Sequence, residues 1–184
     1  MSAPPANARH PLTPHPSSPP VPVRGISVSA TRDDGYLVMA YRLVGNLDAL
    51  LLPAPREPAR ADELWRHTCF EAFVGRVAST EYCEYNFSPS GQWAAYHFSA
   101  YRAGMRPQEP GIGPPCSTRI TADTLELKAT VDMRWLTPSR GGTIRLGVTA
   151  VIEDRAGVLS YWALKHPAEK PDFHLSDSFV IDVL

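Results

Sequence analysis

The chain has 184 residues, enough for one domain of ordinary size. With 18 Lys+Arg against 19 Asp+Glu, its formal charge of -1 provides no positive field for a phosphate backbone, so general nucleic-acid binding is excluded as an expectation. No apolar run approaches the ~20 residues of a membrane span, and the first residues, MSAPPANARHPLTPHPSSPP, lack the apolar stretch of a secretory signal. Cys69, Cys83 and Cys116 are sparse, odd in number and without CxxC spacing. They read as reduced thiols in a cytoplasmic protein, not as a disulfide scaffold.

Eight of the 19 prolines fall in residues 1–22. Each removes a backbone donor, so the segment predicts a disordered or polyproline-like tail ahead of a domain spanning 23–184. From Val23 onward, period-2 alternation dominates. Strands are predicted near 24–30, 36–43, 69–75, 81–87, 92–99, 117–121, 125–131, 144–152, 158–164 and 179–183. Breakers separate them: Asp33-Asp34-Gly35, Ser88-Pro89-Ser90-Gly91, Ala122-Asp123, Arg140-Gly141-Gly142 and Asp154-Arg155-Ala156-Gly157. About ten short strands joined mostly by tight turns predict an all-β, antiparallel β-sandwich. The one helical turn expected is 132–137, before Pro138. Segments 45–63 and 103–116 read as loops.

Polar and aromatic residues are densest between 63 and 98. In the strand 69–75, Phe70, Ala72 and Val74 share one face, and Cys69, Glu71 and Phe73 the other. In 81–87, Cys83, Tyr85 and Phe87 oppose Tyr82, Glu84 and Asn86, while Trp93 and His97 share a face of the following strand. The face of Tyr82, Glu84 and Asn86, beside Trp93 and His97, would suit a sugar ring. Aromatic rings cover its C–H faces, and carboxylates and amides bind its hydroxyls. The same residue types serve a plain solvated sheet face. Glu71 and Glu84, with His97, could alternatively serve an enzyme as acid and base across neighbouring strands. A second cluster, 160–179, holds Trp162, His166, Asp172 and His174 in a proline-bounded loop. It is expected to shape the end of the site; metal ligation by His166, Asp172 and His174 is the alternative. No Gly-x-Ser-x-Gly elbow, HExxH or phosphate loop occurs.

The segments Leu64-Trp65, Cys69-Phe70-Glu71-Ala72-Phe73-Val74, Tyr82-Cys83-Glu84-Tyr85-Asn86-Phe87-Ser88-Pro89-Ser90-Gly91-Gln92-Trp93, Tyr161-Trp162-Ala163-Leu164, Pro171-Asp172-Phe173-His174 and Phe179-Val180-Ile181-Asp182 resemble the DOMON-like proteins related to family 9 carbohydrate-binding modules. The resemblance spans about residues 23–184. It implies an immunoglobulin-like or jelly-roll-like sandwich binding a sugar or a haem beside one sheet. In the sugar-binding branch, aromatics sandwich a terminal ring, and Trp65, Trp93, Glu71, Glu84 and Asn86 match. In the haem branch a Met and a His hold the iron, from among Met39, Met105, Met133, His97, His166 and His174. The expectation is a non-catalytic, cytoplasmic module for a small sugar or cell-wall-precursor-like ligand. It carries no resident cofactor, contacts neither membrane nor nucleic acid, and has no assignable protein partner. A haem- or metal-binding redox module is the alternative.

Overall fold

The computed structural model of the chain describes residues 8–108, 116–134 and 143–183. Among the described residues twelve strands occur in order: β1 (His10–Pro14), β2 (Val23–Asp33), β3 (Tyr36–Gly45), β4 (Cys69–Arg76), β5 (Tyr82–Phe87), β6 (Trp93–Phe98), β7 (Arg106–Pro107), β8 (Cys116–Ile120), β9 (Thr124–Asp132), β10 (Ile144–Glu153), β11 (Leu159–Ala163) and β12 (Ile181–Val183). The described residues include three short 3-10 turns and no α-helix. Of the turn expected at 132–137, residues 135–137 lie outside the described residues; Asp132 ends β9.

Strands β2, β3, β9 and β8 form one antiparallel layer. Strands β7, β6, β5, β4, β10 and β11 form the second, with β12 beside the start of β10. The all-β sandwich read from the alternation is thus present. Apolar parity places Met39, Tyr41, Leu43, Leu125 and Leu127 of the first layer against Phe70, Ala72, Tyr85, Phe87, Val148 and Ala150 of the second, all buried. The Tyr41 hydroxyl crosses the core and donates to the Glu71 carbonyl at 2.7 Å. The β2–β3 turn uses Asp34 at φ 42° and Gly35 at φ 81°. Two consecutive positive φ values match the right-handed twist of a hairpin, and Asp-Gly is the pair that adopts them most readily.

The expectation for residues 1–22 requires correction. Residues 1–7 lie outside the described set, but His10–Pro14 form a strand that joins the two layers. Its first half pairs with β2 (His10↔Val28, Leu12↔Ile26) and its second half with β11 (Thr13↔Ala163, Pro14↔Trp162). The register gives each half one neighbour, so Pro11 and Pro14 need donate to nothing on the other side. Leu12 enters the core at 4% exposure, and the His15 amide donates to the Tyr161 carbonyl at 2.7 Å. The domain therefore begins well before Val23.

Candidate functional site

The outer face of the second layer is not bare. Side chains opposite in parity to the core form a second apolar cluster that includes Phe73, Tyr82, Tyr96, Phe98, Phe173 and Phe179. Three segments close over it. The first is the turn Leu64–Arg66, entered through Glu63 at φ 59°. Trp65 in this turn meets Tyr96 edge-on at 5.6 Å, and the Tyr96 hydroxyl donates to Asp62 at 2.7 Å. The second is the loop after β6, which carries Arg102 at φ 51°. The third is the segment 171–179. Its last ring, Phe179, lies over Gly147, where an added Cβ would approach within 2.6 Å. Glycine there lets the ring sit directly on β10.

Between these segments opens a cleft of about 740 Å³, within the usual range for small-molecule sites. Its floor is made by Glu71 of β4, Glu84 of β5 and Val151 of β10. Aromatic walls come from Trp65, Phe73, Phe98, Tyr161 and Phe173, and His174 and Arg102 close one end.

The floor is polar but nearly dry. Glu71 is 2% exposed and Glu84 5%. Strand register sets Glu71 opposite Asn86 and Phe73 opposite Glu84, so the two carboxylates are diagonal neighbours on one face. The Thr149 hydroxyl donates to Glu71 Oε2 at 2.8 Å, and the Asn86 amide donates to Glu84 Oε1 at 2.7 Å. Burial, then the charge of Glu84, pushes Glu71 up to about 8, against the lowering effect of Thr149. Burial pushes Glu84 up to about 6, opposed by Asn86 and Arg102. The two titrate as a pair and hold one proton between them near neutrality.

His174 presents Nε2 to Glu84 Oε2 at 3.8 Å and Nδ1 to the Tyr82 hydroxyl at 2.8 Å. That hydroxyl also accepts from the Arg102 amide at 3.2 Å, leaving its own hydrogen for Nδ1. This arrangement puts the imidazole hydrogen on Nε2, facing the carboxylate. Burial, then Arg102, pulls the ring down to about 4, so it is neutral at pH 7. Asp172 stands behind the ring. It accepts from the His174 amide at 3.1 Å and from the Arg102 guanidinium at 3.0 Å.

Of the residues singled out in the sequence, the structure brings Trp65, Glu71, Glu84 and His174 into the cleft, with Tyr82, Asn86 and Asp172 supporting them. Four others lie elsewhere. Trp93 pairs with Phe87 and His97 with Cys83, which puts both on the core-facing side of β6, away from Glu84. The acid/base trio of Glu71, Glu84 and His97 is therefore not assembled. Trp162 packs in the main core with its indole N–H on Ser160 Oγ at 2.9 Å. His166 bonds to the Thr13 carbonyl at 2.8 Å and meets the His15 ring edge-on. Glu84 and Asn86 are buried under loops, not solvent-facing as the alternation suggested.

Among the described residues no group of three or more His, Cys, Asp and Glu side chains is placed to hold a metal ion. A haem does not fit the residues present either. Met39 and Met133 are core residues. Met105 lines the cleft with His174, but both nitrogens of that ring already face partners. Two cleft residues carry no signal in the sequence: Phe98 looks like core, and Arg102 sits in a loop. Tyr161 could have been found as the alternate of buried Trp162.

No family model and no curated protein matches the chain. Among solved structures, one from Bacteroides uniformis, described as an inferred carbohydrate-binding protein, superposes at TM-score 0.65 and 12% identity over 94% of this chain and 84% of that one. A family 9 carbohydrate-binding module from Caldicellulosiruptor kristjanssonii, solved with glucose, gives TM-score 0.44 at 12% identity over 75% of this chain and 65% of that one. The chain thus shares the fold of the Bacteroides protein.

Proposed function

We propose that the protein is a non-catalytic module that binds a small carbohydrate-like ligand in the cleft over the second sheet. One observation carries the reading: aromatic walls and buried, directional hydrogen-bonding groups converge on one cavity of monosaccharide-to-disaccharide scale. Trp65 and Tyr161 offer apolar faces to a ring, while Glu84 and Arg102 offer acceptor and donor groups to its hydroxyls. The DOMON-like relationship suggested by the sequence motifs belongs to the same proposal. So does the absence of catalysis. His97, the third member of the enzymatic alternative, is on the wrong face.

Calorimetric titration against a panel of mono- and disaccharides tests the proposal. Saturable binding that weakens roughly tenfold in Trp65→Ala is expected, since a stacked aromatic contributes on the order of 1 kcal/mol beyond its burial. Binding by no member of the panel would overturn it. A visible absorption band in freshly purified protein would favour the haem alternative instead.

A further inference from the structure

The charges in the cleft do not balance. Its arginines are matched, Arg102 by Asp172 at 3.0 Å and Arg66 by Glu63 at 2.8 Å, and the His67 ring bonds to Glu153 at 2.7 Å. The floor carboxylates are not. Glu71 receives one hydroxyl hydrogen from Thr149 of β10. Glu84 receives one amide hydrogen from Asn86 and faces the neutral ring of His174, and the Arg102 charge that also acts on it is already held by Asp172. The remaining titratable groups nearby, Cys69, Tyr41 and Tyr82, are weak acids that burial keeps protonated, so none supplies a positive charge. A buried carboxylate pair without a cation is costly, and here the resting compensation is a shared proton.

The surroundings of the pair favour a cation over a neutral hydroxyl. Phe73, Phe98 and Phe173 bound the same space, and the negative faces of aromatic rings attract ammonium groups. Resting on the carbohydrate reading above, we propose that the ligand is an amino sugar. Its protonated, unacetylated amine seats against Glu71 and Glu84 while its ring packs on the aromatic walls. The proton balance follows. The resting pair is one carboxylic acid and one carboxylate, the incoming amine is already protonated, and the bound state has two carboxylates around the ammonium. About one proton leaves to solvent on binding.

The test is titration of the whole protein at pH 7 with glucosamine, glucose and N-acetylglucosamine, each in two buffers of different ionisation enthalpy. Glucosamine is expected to bind at least about tenfold more tightly than either neutral sugar, with heats that differ between buffers by about one proton. Glu71→Gln and Glu84→Gln, each checked for folding by circular dichroism, should shrink that preference to below about threefold. Equal affinity for the three sugars would overturn the amine while leaving carbohydrate binding intact. So would binding of glucosamine without buffer-dependent heat. Failure of the whole saccharide panel would remove both readings.

Discussion

Glu71 is buried among groups that do not neutralise it, and this has a consequence for stability. Its ordinary value is 4.5 and its folded value about 8. The folded state thus holds a proton that the unfolded state releases above about pH 4.5. Stability from this group is complete below 4.5 and is lost as pH rises through 8. Glu84, raised to about 6, acts in the same direction over a narrower window. His174 acts oppositely: pulled down to about 4 from 6.5, it contributes above 6.5 and loses that contribution as pH falls through 4. Glu71→Gln keeps the shape and the bond from Thr149 but cannot ionise. At pH 8 it should be more stable than the parent by about 1–3 kcal/mol, and at pH 4.5 nearly equal, read by urea denaturation at both pH values. Equal differences at the two pH values would show that Glu71 does not titrate in this window. The faces of Glu71, Glu84 and Asn86 were legible because alternation fixes parity within a strand. The faces of Trp93 and His97 were not. A turn of unknown geometry separates β5 from β6, and nothing in the alternation carries parity across it.

At the scale of elements, ten of the twelve described strands follow from alternation and breakers, and two were invisible. β7 is two residues long. β1 hides behind its prolines, which normally argue against a ladder. Composition could not reveal that each half of β1 has a single neighbour. If the strand contributes as its register implies, Leu12→Ala should cost about 2–4 kcal/mol, as for other buried leucines. For a chain of this size that lowers Tm by roughly 4–16 °C in a thermal scan. A loss under about 0.5 kcal/mol would mean that β1 docks loosely. The burial of the outer face of β4 and β5 was equally hidden, because loops at 63–67 and 171–179, distant in sequence, cover it.

For the whole molecule, β1 has a consequence in the order of biosynthesis. Thr13 bonds to the Ala163 carbonyl, 150 residues away. Ribosomes add about 5–20 residues per second, so β1 emerges roughly 8–30 s before its partner β11. During that interval the hairpin of β2 and β3 can form, but the seam between the layers stays open and Leu12 has only half its surroundings. β11 and the stretch 171–179, which emerge long after β1, finish the seam and cover the carboxylate floor. Nascent chains stalled before β11 should therefore be cut by protease near residues 10–20. Chains in which β11 has emerged should resist there, and protection already present in the stalled chains would mean that β2 alone holds β1. The cleft over the second sheet is thus completed only after β11 has emerged.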